Sequence, residues 1–298
     1  SRRGVDICQP YPPIAYYAMA SRRSFLATLG AAAIGAALQP ACVRAASRRR
    51  LDRIGLQLYT VRGEMQRDME ATVARVAEIG YREVEFAGYF DRSPAQVAAL
   101  LEQHGLASPS THIGFDQMRD QWDRVLDDSA EIGHAYVTIP SIAAGDRRTI
   151  DDWRRIAALF NERAAQADAA GLRFAYHNHD FEFAPIGETI PFDVLLAETD
   201  PDLVHFELDI YWITRAGHDA LDYFARFPDR FSMTHLKDSA GPPDHRMVDV
   251  GGGSIDFGRI IAAAHDAGVQ HHFVEHDNPA DPMASIRSSY EYLAALNS

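Results

Sequence analysis

Lysine is almost missing from this 298-residue chain: of 29 basic residues, Lys237 alone is a lysine. Cysteine is nearly as scarce. Cys8 and Cys42 both precede residue 45, so everything after that point lacks disulfides and thiolate chemistry. Setting residues 1–45 aside removes five arginines and one aspartate. The balance goes from 29 basic and 42 acidic residues to 24 and 41, a net charge of −17. So acidic a chain is poorly suited to holding nucleic acid by counterion release. From about Arg50 onward there is no low-complexity linker. No glycine-rich phosphate-binding fingerprint follows the first predicted strand, where Gln57-Leu58-Tyr59-Thr60-Val61-Arg62 stands instead. That counts against a doubly wound dinucleotide-binding sheet.

The first 45 residues form a region of their own. Ser21-Arg22-Arg23-Ser24-Phe25-Leu26 precedes an Ala/Gly-rich apolar run to Leu38, and Val43-Arg44-Ala45 offers a cleavage point. The pattern resembles a twin-arginine export signal, with translation expected to start at Met19 and a periplasmic destination. Gly30, Gly35 and Pro40 interrupt the run, so no stable membrane anchor is expected. Residues 46–298 are read as one domain.

That domain alternates strand and helix signals. Strands are expected at Ile54–Thr60, Glu83–Ala87, Ser108–Ile113, Tyr136–Pro140, Arg173–His179, Val204–Tyr211, Phe231–Leu236 and His272–His276. Helices are expected at Met69–Ile79, Pro94–His104, Asp116–Ile132, Ile150–Ala170, Phe192–Glu198, His218–Phe227, Phe257–Ala267 and Pro282–Leu296. Glycines at 80, 105, 133, 171 and 268 sit where helices hand over to strands. Eight βα units in this length predict a single-domain (β/α)8 TIM barrel.

The last four strands each end in ionisable residues two positions apart: His177/His179, Glu207/Asp209, His235/Lys237 and Glu275/Asp277. Residues i and i+2 of a strand share a face. An interior holds that much charge only when it is paired or bound to a metal. In a barrel such residues face the catalytic mouth, joined there by Gln57, Tyr59, Glu85 and His112 from the first three strands.

The runs GLQLYTVR, YREVEFAG, YHNHDFEF, LDIYW, HLKD, GGGSIDF and VEHD, in this order, resemble the sugar phosphate isomerase/epimerase group of xylose isomerase-like barrels. The resemblance covers about residues 50–296. It implies a divalent cation, manganese first, held by His177, Asp209, His235 and Glu275. The better-known epimerases supply glutamate from strand 5 where this chain has His177, which leaves either His177 or Glu182 as that ligand. An imidazole among oxygen ligands suits manganese, cobalt, zinc or iron better than magnesium or calcium.

A cation chelated by a carbonyl and a neighbouring hydroxyl stabilises an enediolate, and flanking groups must carry the proton. Glu275 is the counterpart of one such carrier, with His179 and Glu182 as candidates for the second. Lys237 is placed as a donor to substrate oxygen or as an ion-pair partner at the rim. Gln57, Tyr59, Glu85, His112 and Trp212 are read as binding substrate hydroxyls or a sugar face, against a plainer role as satisfied rim or packing residues. Asp256 in GGGSIDF is expected to cap a helix.

The expected activity is sugar isomerisation or epimerisation through an enediolate. The sugar or keto-sugar is expected to be unphosphorylated, because of the export signal and the missing phosphate loop. The alternatives are elimination from keto-inositols or 3-keto-glycosides, and a non-catalytic periplasmic sugar-binding protein. A small-molecule sugar is thus the expected partner, with homo-oligomerisation left open and nucleic acid excluded.

Overall fold

The computed structural model describes residues 51 and 53–296. The expected export signal lies outside the described residues. Strands β1 (Gly55–Gln57), β2 (Glu83–Phe86), β3 (Ala107–His112), β4 (Tyr136–Ile139), β5 (Arg173–His177), β6 (Val204–Asp209) and β7 (Phe231–Leu236) come first in the chain. A two-residue hairpin follows, β8 (Asp238–Ser239) with β9 (Met247–Val248), and β10 (His271–Val274) is the last strand. Every barrel pairing is parallel, and the sheet closes in the order β1-β10-β7-β6-β5-β4-β3-β2. This is the expected (β/α)8 barrel.

Local sequence explains the helices around it. Ser93 and Gln96 form a reciprocal capping box ahead of Pro94–His104, with Pro94 in the first turn. Gly105 ends that helix at φ 62°, a left-handed conformation that glycine adopts without strain. Asp256 caps Phe257–Asp266 by accepting from Arg259 N, as expected. The helix foreseen over Asp116–Ile132 is two, Phe115–Asp120 and Trp122–Ile132, because Gln121 leaves the helical region at φ −138°. The longest helix, Ile150–Ala169, packs Phe160 against Phe174 and Tyr176 of β5, at 4.9 and 5.2 Å between ring centroids.

The barrel interior is layered. Tyr136, Ala175, Met233 and Phe273 form an apolar plug. Phe273 fits because β1 carries Gly55 beside it, where a Cβ would lie 2.5 Å from the ring. In register, Phe273 pairs with His235, Gln57 with Glu85, and His177 with Glu207. The plug is therefore the floor on which a polar layer stands.

Beside the barrel, His134 is buried between Ser108 O, 2.8 Å from Nδ1, and Tyr89 Oη, 3.1 Å from Nε2. Burial pushes its imidazole down to about 4. The neutral ring then stabilises the fold above the unfolded-state pKa of about 6.5. That contribution is lost as pH falls from there through about 4, because the unfolded chain binds the proton first. Between pH 7 and pH 4 the expected loss is on the order of 3 kcal/mol. Urea titrations across this range check it. A His134→Gln chain with an equally steep acid limb would remove His134 as the cause.

Candidate metal centre

At the C-terminal end of the barrel, His235 is the junction of two buried networks. Its Nε2 lies 2.7 Å from Glu85 Oε2 and 3.1 Å from Glu207 Oε2. Its Nδ1 lies 2.7 Å from Glu275 Oε2 and 3.8 Å from Asp209 Oδ2. His177 is turned the same way. Its Nδ1 is 3.3 Å from Glu207 Oε2 and its Nε2 is 3.7 Å from Asp209 Oδ2. The carboxylates of Glu85 and Glu207 thus stand behind the imidazoles and face their other nitrogens toward Asp209 and Glu275. This is how outer carboxylates commonly orient metal-binding histidines.

Two groups are compact enough to hold an ion: Asp209, His235 and Glu275, and His112, His177, Glu207 and His235. The first fits a divalent cation better. Asp209 Oδ2 and His235 Nδ1 are both buried there, with Lys237 Nζ 3.0 Å from the carboxylate and Glu275 Oε2 2.7 Å from the imidazole, so the protons on these nitrogens hold the place a cation would take. In the second group Glu207 already takes up His112 Nε2 at 2.8 Å. Asp209, His235 and Glu275, with His177 Nε2 alongside, are therefore the residues that would hold the cation.

The charges here are strongly coupled: burial works against the His235 imidazolium, yet Glu207 and Glu275 raise it well above its ordinary value. Burial pushes the Asp209 carboxyl up to about 6 even with Lys237 Nζ 3.0 Å away. Burial would also raise Glu275, but Lys237 Nζ at 2.7 Å and His235 hold it well below the usual carboxylate range. Burial works against the Lys237 ammonium, yet Asp209, Glu275 and Asp277, the last at 2.9 Å, raise it well above its ordinary value. Burial and the neighbouring His235 hold the His177 imidazole well below the usual range, hence neutral.

The other predicted site residues have different fates. His179 lies beyond the end of β5, so strand alternation does not place it. It stacks on Phe181 and packs against Trp212, at 5.4 and 5.2 Å between centroids. Burial, then Lys237, pushes its imidazole down to about 3. Glu182 is turned away from both ion-holding groups, its oxygens taken by Tyr176 Oη at 2.5 Å and His179 N at 2.8 Å. Gln57 and Glu85 were expected to meet substrate hydroxyls but are buried beneath the mouth. Gln57 Nε2 donates to Glu85 Oε2 at 2.7 Å, and Ser110 Oγ donates to Glu85 Oε1. Trp212 backs His179 from behind. Tyr59, 42% exposed, and His112 do line the mouth. Asn178 was missed: its Oδ1 accepts from Asp209 N at 3.0 Å and so ties the end of β5 to the backbone of Asp209 at the end of β6. An amide between two histidines was the one available signal.

The mouth opens into a cavity of about 610 Å³ lined by His177, His179, Lys237 and Glu275 on one side and by Tyr89, Ile113 and Gln117 on the other. That volume is within the range of small-molecule sites. A (β/α)8 barrel with converging histidines and carboxylates at its C-terminal mouth is the architecture of a metal-assisted enzyme. The chain belongs to the xylose isomerase-like TIM barrel family, whose pattern matches residues 73–296.

An inosose dehydratase from Geobacillus kaustophilus (strain HTA426) is 27% identical over 191 residues, 57% of this chain and 61% of that protein. The chain therefore spans about three fifths of that relative's length. A sugar phosphate isomerase/epimerase from Parabacteroides distasonis ATCC 8503 superposes with a TM-score of 0.71 at 25% identity, over 82% of this chain and 95% of that one. The IolI protein, solved with a bound zinc atom, shares the fold at a TM-score of 0.68 and 13% identity, over 82% and 98% of the two chains.

Proposed function

We propose that this barrel is a divalent-metal-dependent lyase. It removes water or an alcohol from the carbon β to a ketone in an unphosphorylated cyclic polyol or keto-sugar. One observation carries the reading: within the candidate cation group, Glu275 is the one carboxylate that also lines the cavity, and strand 5 contributes the imidazole of His177 instead of a second. A two-base epimerase needs a deprotonated carrier on one face of the substrate and a protonated one on the other. Here Glu275 is held ionised with the Lys237 ammonium against it, while Glu182, which burial pushes up to about 8, is taken by Tyr176 Oη and His179 N and does not line the cavity, so no protonated carrier stands across the substrate from Glu275. Elimination needs one group that takes the proton from carbon and returns it to the departing oxygen. The likeness to an inosose dehydratase supports the same reading.

Asp209, His235, Glu275 and His177 would hold the cation, and the zinc in the IolI protein supports a divalent one. When bound, it supplies a Lewis acid that stabilises negative charge on the substrate carbonyl oxygen. Glu275 Oε2 faces Lys237 and His235, leaving Oε1 to accept the proton α to the ketone. The Lys237 ammonium offsets the charge of the surrounding carboxylates and offers a proton-bearing nitrogen at the mouth. His179, with Trp212 and Phe181 packed on it, is a rigid wall to the substrate ring.

Isomerisation or epimerisation is the second reading, favoured by the solved sugar phosphate isomerase/epimerase that this chain resembles. Turnover of a panel of cyclic ketones in deuterated water separates the two. The expected product is an enone that has lost water or an alcohol. A ketone of unchanged mass apart from deuterium, with inverted configuration, would instead establish epimerisation.

A further inference from the structure

The run GGGSIDF has no part in the site described above. It closes the connection 238–256, which leads from the end of β7 through the hairpin β8–β9 to the cap of the helix Phe257–Asp266. The backbone of this run turns onto one side chain, Asp238, the residue after Lys237. Asp238 is fully buried. Its Oδ2 accepts from Gly251 N and Gly253 N, both at 2.9 Å, and its Oδ1 from Ser239 N at 2.7 Å and Ile255 N at 3.2 Å. Four N–H donors thus replace the water that a buried carboxylate gives up. Glycine at 253 permits the approach, since a Cβ there would lie 2.4 Å from Asp238 Oδ1 and 2.3 Å from Ser239 O.

The carboxylate therefore decides where the hairpin lies. Ser239 pairs with Met247 across it, and Ser254 N donates to Ser239 O at 2.8 Å. Met247 in turn reaches the loop after β10, where its Sδ accepts from Asp277 N at 3.2 Å. Asp277 Oδ1 lies 2.9 Å from Lys237 Nζ. The series of contacts that begins at Asp238 ends on its neighbour in the chain.

Asp277 differs from the other two carboxylates on Lys237. Asp209 and Glu275 are also residues that would hold the cation, whereas Asp277 belongs to neither group compact enough for an ion. It is the partner of Lys237 that a cation would not share.

We propose that Asp238 is a positioning residue for the Lys237 ammonium. Its carboxylate sets the hairpin, the hairpin sets Met247, and Met247 holds the backbone of Asp277 against Lys237. The role of Lys237 in turnover rests on the elimination reading above; its placement does not.

The test is the rate at which a succinimidyl ester acylates Lys237 in the folded chain, read at that residue by peptide mass spectrometry with no substrate present. Asp238→Asn turns one oxygen into a donor that faces two of the four amides. It should raise the rate about tenfold, the scale of one charge-assisted hydrogen bond. Met247→Leu keeps the side-chain volume, removes the sulfur acceptor and alters no group that Asp238 binds. It should raise the rate several-fold. In an Asp277→Asn background, Asp238→Asn should add less than about twofold, because residues on one route do not act additively. Equal effects of Asp238→Asn with and without Asp277, as a general loosening of the fold would give, overturn the proposal. An unchanged rate in Met247→Leu overturns it too, even if the Asp238 variant fails to fold. Zinc-loaded protein that forms enone without this pattern of rates keeps the lyase reading and loses the positioning role. The pattern without enone from any ketone keeps the positioning role and removes the lyase reading.

Discussion

Replacing His235 by alanine is expected to abolish stable metal binding and to reduce turnover by roughly 10³-fold or more, the scale on which losing the centre of electrostatic stabilisation is felt. No other side chain at the mouth ties together as many groups. Nδ1 faces Asp209 and Glu275, and Nε2 faces Glu85 and Glu207. Alanine removes one ligand and leaves four buried carboxylates without the ring that separates them. Metal content after reconstitution with zinc should fall from about one ion per chain to background. Zinc should also raise the melting temperature of the parent chain through preferential binding to the folded state, and that rise should disappear in the variant. A His235→Ala protein that keeps its zinc and its zinc-dependent melting shift would show that the cation sits elsewhere.

Lys237→Met is expected to destabilise the fold by about 3–5 kcal/mol, the usual consequence of removing one partner from a buried ion pair. Methionine matches the length of the side chain and not its charge. Asp209, Glu275 and Asp277 then face one another with the ammonium gone. Two of the three are fully or almost fully buried, so solvent screens little of the repulsion. The loss should be visible in urea melts and should shrink when zinc is added, because a divalent cation answers the same excess negative charge. Arginine is not an equivalent replacement, since its planar fork is far larger than a point charge held between three oxygens. A Lys237→Met chain as stable as its parent would mean that the carboxylates take up protons instead.

The barrel was legible because its signals are redundant. Eight apolar strands, glycines after helices and capping residues such as Ser93 all point to one architecture. Strand ends were less legible. Only Glu207 and Asp209 lie together inside a strand, whereas His179, Lys237, Glu275 and Asp277 all lie past a strand end, in backbone that alternation does not govern. Their convergence comes from barrel closure, which sets β10 beside β7 and β7 beside β6. Sequence pattern carries the residue types and not the depth at which each one stops. That is why Gln57 and Glu85 read as rim residues although they stand beneath the mouth. Glu182 was ambiguous for a related reason. Its partner Tyr176 lies on β5 itself, and nothing in YHNHDFEF says that the short turn Phe181–Phe183 folds the carboxylate back onto that strand.

The scarcity of lysine has a practical consequence for handling the molecule. Lys237, the sole lysine of the chain, is 2% exposed in the barrel. The folded chain therefore offers succinimidyl esters and aldehyde cross-linkers no accessible side-chain amine. Dye attached at Lys237 becomes a reporter of barrel opening. The rate at which that amine is acylated under native conditions measures how often its three carboxylates let it go, two residues along the chain from His235 at the centre of the candidate site.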